Sequence, residues 1–123
     1  ISGVICPGVE ISADALFQRA ARLPRVDIGR PEQLIGTSTV GSMRSGLFFG
    51  YVAMVAGIVA RLRAELGGRE PAACVATGGL ASTIAGETGS IDHVSPNLTL
   101  HGLRLAWNRN ETTREGGAGT PAS

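Results

Sequence analysis

Three short glycine- and hydroxyl-bearing segments carry the chemistry this sequence can offer. The first is Thr77-Gly78-Gly79-Leu80, which follows an apolar run. Without side chains, two successive glycines let a flat ring or a phosphate approach the backbone, and free N–H groups at a helix start can point at it. A packing turn with no ligand would use the same residues. The second is Ile35-Gly36-Thr37-Ser38-Thr39, where three hydroxyls cluster at the start of a long apolar stretch. One can serve as a helix N-cap, leaving the others solvated or in contact with a polar ligand. The third is Gly3, Pro7 and Gly8, around what reads as a first strand; a strand-ending turn accounts for them equally well.

Other chemistry finds little support. His93 and His101 lie eight residues apart with no cysteine nearby, which argues against a zinc site. The aspartates are Asp14, Asp27 and Asp92, and none sits in a motif that marks a general base. No GxxxxGK[ST] phosphate loop and no nucleophile–histidine arrangement with a recognisable context is present. Cys6 and Cys74 lack metal-ligand spacing and sit among apolar residues. They read as buried free thiols in a reducing, cytoplasmic setting.

The 123 residues are 43% hydrophobic and 17% charged, which suits one globular domain or half of a larger one. All eleven basic residues are arginine, set against ten acidic ones. The resulting net charge of +1 leaves no concentrated basic face for nucleic acid. Residues 46–60 carry no charge, but fifteen helical residues reach only about 22 Å, short of a bilayer core of roughly 30 Å. Arg44 and Arg61 bracket the run closely. It is expected to be a buried core helix, and no membrane partner is expected.

These segments need elements to position them. Residues 1–6 predict a strand ended by Pro7-Gly8. A helix is predicted from Ser12, as N-cap, to Leu23, with Pro24 after it. Val40, Met43, Leu47, Tyr51, Met54, Val55, Ile58, Leu62 and Leu66 recur at helical spacing, so the longest helix runs from Thr39 to Leu66, closed by Gly67-Gly68. Gly46, Gly50, Ala53 and Gly57 form another stripe of that helix. Each glycine there costs about 1 kcal/mol relative to alanine, which predicts close approach of a backbone or ligand. Residues 72–77 predict a buried strand, residues 80–87 a short helix, residues 91–94 a minor strand, and residues 98–108 a last helix. Residues 111–123 are polar and small, and are expected to be a disordered tail after a domain of residues 1–110. The order is that of an α/β fold. Its strands are few and the chain opens at Ile1 inside an apparent strand, so further residues are expected upstream.

Five segments in this order resemble type III pantothenate kinases over residues 1 to about 110: GVICPGVEISADAL, LPRV, IGTSTVGSMRSGLFFGYVAMVAGIV, ATGGLASTIA and IDHVSPNLTLHGLRLAWNRN. The resemblance is to the C-terminal half of those enzymes. It implies a C-terminal ribonuclease-H-like domain of the actin-like ATPase and sugar kinase superfamily, incomplete here, and a homodimer. It implies transfer of the γ-phosphate of ATP to pantothenate, the first step of coenzyme A synthesis, with Mg2+ and a monovalent cation (K+ or NH4+). By position it assigns Thr39 to a pantothenate contact and Gly78 and Gly79 to the adenosine part of ATP. The long helix matches the one that lines the substrate pocket and joins the dimer contact. Ala56 departs from the pattern, which usually has aspartate before the glycine matching Gly57. The phosphate loop, general-base aspartate and cation-binding aspartate have no match in these residues. They are expected in a missing N-terminal half, so no catalytic or metal residue is assigned here and the chain alone is expected to be inactive. Two other readings are open: a non-catalytic regulatory member acting through dimerisation, and a related kinase with another acceptor.

Overall fold

The computed structural model describes residues 3–20, 22–68 and 70–116. In chain order the elements are α1 (Val9–Arg19), α2 (Thr39–Leu66), β1 (Val75–Ala76), α3 (Ala81–Ala85), β2 (His93–Val94) and α4 (Leu98–Gly116). β1 and β2 pair in parallel, Val75 opposite His93 and Ala76 opposite Val94. A parallel pair needs a crossover, and the segment containing α3 supplies it. The result is an α/β arrangement around a short parallel sheet.

α2 has the predicted ends. The Ser38 hydroxyl accepts from the Gly41 N–H at 3.0 Å and caps the first turn. Gly67, at φ 62°, closes the last turn by donating its N–H to the Arg63 carbonyl at 3.2 Å. α1 packs against α2, and the buried apolar residues are Val9, Met43, Leu47, Phe48, Ala81 and Ile84. Phe48 meets Phe49 edge to face, with ring centroids 5.3 Å apart.

The expectation of a buried core helix holds only for the first turns of α2. Burial is confined to Met43, Ser45, Leu47 and Phe48, and Leu66 at the far end is 70% exposed. By length and composition α2 could cross a membrane: its most apolar window has a mean hydropathy of 1.7, and 11% of that window is buried. The reason is geometric. Most of residues 51–59 are half-buried, and most of residues 60–66 are exposed, with little of the described chain over that last stretch.

Other expectations are corrected in detail. Residues 3–6 form no strand, and Ile5 is fully exposed, because β1 and β2 pair with each other and no described strand faces this segment. Residues 1 and 2 lie outside the described residues. α1 begins earlier than predicted, with Gly8 as cap residue. Ser12 is in the first turn, its N–H and hydroxyl both donating to the Gly8 carbonyl at 3.0 and 3.1 Å. It ends at Arg19, since Ala20 is extended and Arg22 has φ 83°. β1 and β2 are shorter than the runs that predicted them. Cys6 is exposed and Cys74 half-buried, both free thiols, so neither is the buried residue expected. α4 continues to Gly116 rather than ending at residue 108. Polarity suggested a tail from residue 111, yet Glu111–Glu115 contain no helix breaker before Gly116-Gly117. The remainder of the predicted tail, residues 117–123, lies outside the described residues. Along residues 98–111 α4 is exposed, Trp107 to 64%.

Candidate functional site

β1 runs directly into Thr77-Gly78-Gly79. Gly78 has φ 102°, a conformation that strains any residue with a Cβ. The turn closes when the Ala81 N–H donates to the Gly78 carbonyl at 3.2 Å. In front of it lies a cavity of about 420 Å³, within the usual size range for small-molecule sites. Its walls include Gly8, Tyr51, Val55, Thr77, Gly78 and Gly79. A Cβ built on Gly78 or Gly79 would meet no protein atom within 4 Å. Packing inside this chain therefore does not require the missing side chains; Gly78 is needed for its dihedral, and Gly79 leaves the cavity open. α3, with five residues, is too short to add the helix-terminus attraction expected from sequence.

The structure brings Gly8 to the same cavity as Gly78 and Gly79, although sequence treats them as separate features. Gly3 and Pro7 do not line it. Tyr51 and Val55 were read only as members of an apolar helical stripe. These two face the cavity before the glycine turn, a relation set by tertiary arrangement that leaves no local signal. Glu10 also lines the cavity and has no motif to announce it.

The mouth of α2 is built differently. The loop before it folds so tightly over the first turn that a Cβ on Gly36 would lie 2.3 Å from the Ser42 nitrogen and 2.6 Å from the Gly41 carbonyl carbon. Ser42 donates its hydroxyl to the Gly36 carbonyl at 3.3 Å, and Ser45 donates to the Leu34 carbonyl. With Ser38 occupied as the cap, these serines are committed to backbone. The hydroxyls of Thr37 and Thr39 have no partner among the described residues. Both line an open depression of about 680 Å³ with Leu23, Ser38, Ser42 and Met43. A neighbouring cleft of about 480 Å³ carries charge on its walls, including Asp27, Arg30, Glu32 and Arg44. Arg44 pairs with Asp27 at 3.8 Å, and Arg30 reaches Glu87 at 2.5 Å, fastening the loop to the segment after α3.

Thr39 does not line the glycine-turn cavity. It stands twelve residues before Tyr51 on one helix, about 18 Å along the axis. The predicted site residues thus fall into two places joined by α2.

Asp92 is the most strongly placed carboxylate. Its Oδ2 accepts from the Cys74 N–H at 2.6 Å and from Arg63 Nη2 at 2.5 Å. The Cys74 bond chiefly, against partial desolvation, and then the Arg63 charge hold its carboxyl below the ordinary value of 3.8. No local motif distinguishes it from Asp14 and Asp27. Among the described residues, no group of three His, Cys, Asp or Glu side chains is placed to hold a metal ion.

A parallel strand running into a glycine turn beside an apolar cavity is an arrangement that α/β ligand-binding domains use. Comparison with known proteins narrows the class. A family model described as type III pantothenate kinase matches residues 1–61, which take in α1 and most of α2. The type III pantothenate kinase of Acidiphilium cryptum (strain JF-5) is 53% identical over 110 residues, covering 89% of this chain and 41% of the relative. That of Myxococcus xanthus (strain DK1622) is 53% identical over 113 residues, covering 92% and 43%. That of Moorella thermoacetica is 51% identical over 110 residues, covering 89% and 42%. The chain belongs to the type III pantothenate kinase family. It spans about two-fifths of the length of the curated relatives it matches.

Proposed function

We propose that this chain is part of an ATP-dependent kinase that phosphorylates pantothenate to 4'-phosphopantothenate, the first step of coenzyme A synthesis. The observation that carries the reading is the roughly 50% identity to type III pantothenate kinases across about nine-tenths of the chain. The chain would form the C-terminal, ribonuclease-H-like domain of an actin-like kinase in the cytoplasm.

Thr39 would hydrogen-bond pantothenate. Its unpartnered, exposed hydroxyl at the mouth of α2 supports this, beside serines whose hydroxyls are already engaged. Gly78 and Gly79 would lie against the adenosine part of ATP. The cavity before them has the size for it, and their missing Cβ atoms leave that space open. ATP, when bound, supplies the phosphoryl group. Transfer rests on positioning and charge neutralisation, with a carboxylate taking the hydroxyl proton. The groups for that step, and those for Mg2+ and K+ or NH4+, are assigned to the N-terminal half of the protein, since no described cluster here suits a cation. The exposed length of α2, with Gly46 and Gly50 approached by none of the described residues, suits a homodimer contact.

The test is phosphorylation of labelled pantothenate by the complete gene product with ATP and potassium. Turnover is expected there and absent from residues 1–123 alone. Lack of turnover by the complete product, or turnover of a different acceptor in its place, overturns the reading.

A further inference from the structure

We infer that Arg63 and Asp92 form a clasp that positions the nucleotide cavity, fixing the gap between α2 and the glycine turn; this rests on the adenosine reading of that cavity. One wall is α2, through Tyr51 and Val55, and the other is the end of β1 with Gly78 and Gly79. Of the other elements, α2 packs mainly on α1 and little on β1, so something else must set the spacing of these two walls. Among the described residues, the hydrogen bonds from α2 to the β1–β2 pair and its lead-in all pass through Arg63. Its Nε donates to the Ala72 carbonyl at 3.0 Å, and its Nη2 donates to Asp92 Oδ2 at 2.5 Å.

Asp92 extends the grip. The same Oδ2 accepts from the Cys74 N–H at 2.6 Å, and the Asp92 N–H donates back to the Cys74 carbonyl at 2.9 Å. One guanidinium therefore holds the entry to β1 twice, directly at Ala72 and through Asp92 at Cys74. Two residues, Val75 and Ala76, separate Cys74 from Thr77, and they are extended backbone held by the β2 ladder, with the Ser95 N–H on the Ala76 carbonyl at 2.8 Å. A shift at Cys74 is therefore passed to the glycine turn rather than absorbed. Arginine suits the task because its planar fork serves two acceptors in fixed directions, which lysine cannot do. Thr39 lies more than twenty residues before Arg63 on the same helix and is outside the clasp's reach.

The test is steady-state kinetics of the complete gene product, unmodified and as Asp92→Ala, Asp92→Asn and Arg63→Lys. Asp92→Ala should raise KM for ATP on the order of tenfold while KM for pantothenate and kcat hold, as expected when a remote change displaces a binding wall. Asp92→Asn keeps an acceptor for the Cys74 N–H and should fall between. Arg63→Lys keeps the charge but not the fork, and should resemble Asp92→Ala. If Asp92→Ala does not fold, the other two carry the same comparison. Unchanged KM for ATP in folded variants overturns the clasp, as does an equal rise in both KM values, which would mark general loosening. Failure of the unmodified protein to use ATP is seen before any variant is made; it overturns the nucleotide reading and the clasp's role with it.

Discussion

Gly36 and the Gly78-Gly79 pair both stand just before a helix, yet different forces select them. At Gly36 the reason is internal. The loop backbone lies so close to the first turn of α2 that a single methyl group would overlap Ser42 and Gly41. At Gly78 the reason is a left-handed dihedral, and at Gly79 nothing among the described residues demands glycine. The first glycine serves folding, and the last leaves the cavity beside it open. A glycine with no internal reason, on the wall of a cavity, points to a ligand more clearly than one that packing explains.

That contrast orders the expected effects. Gly36→Ala should be the most damaging, costing about 3 kcal/mol or preventing folding, because backbone atoms cannot move aside as a flexible side chain could. Denaturant unfolding measures it, and a loss below about 1 kcal/mol would show that the loop can relax. Gly78→Ala should cost roughly 1–2 kcal/mol through its dihedral and also weaken ATP use. Gly79→Ala separates the two roles: stability should stay within about 0.5 kcal/mol while KM for ATP rises several-fold. A stability loss equal to that of Gly78→Ala would erase the distinction.

The mouth of α2 offers the same comparison among hydroxyls. Ser38→Ala should cost about 1 kcal/mol by removing the cap. Thr39→Ala should leave stability nearly unchanged and raise KM for pantothenate, with Thr39→Ser restoring it. The smallest effect concerns acid. The Asp92 carboxyl is held below 3.8 chiefly by the Cys74 N–H, so its contribution is complete above that value and is lost as pH falls through its lower folded value. Asp92→Asn should lower the melting temperature at neutral pH and reduce its decline as pH falls below 3.8. An unaltered acid limb would show that the interaction contributes nothing.

Much of this was legible along the chain wherever a local rule decides structure. Both ends of α2 follow from Ser38, the apolar period and Gly67, and the run before Gly78 announces β1. The failures concern what lies opposite. Residues 1–6 have strand composition but no described strand to pair with, so Val4 and Ile5 face solvent. The long apolar run of α2 implied burial, but composition does not say what covers a helix, and here full burial is confined to its first turns while its middle is half-buried. Glu111–Glu115 read as a tail because polarity was weighed above the absence of a breaker. At the site, Thr39, Gly78 and Gly79 could be singled out from motif and resemblance. Tyr51, Glu10 and Asp92 could not, since their places depend on how α1, α2 and the sheet come together.

The central claim is that α2 joins two separate binding places, pantothenate at its mouth and adenosine at the glycine turn. Backbone amide spectra of the complete gene product, titrated separately with pantothenate and with a non-hydrolysable ATP analogue, test it most directly. Pantothenate should shift resonances of Thr37–Ser42, and the nucleotide those of Thr77–Ala81 and Tyr51. Both ligands shifting a single common set, or the two sets exchanged, would contradict it.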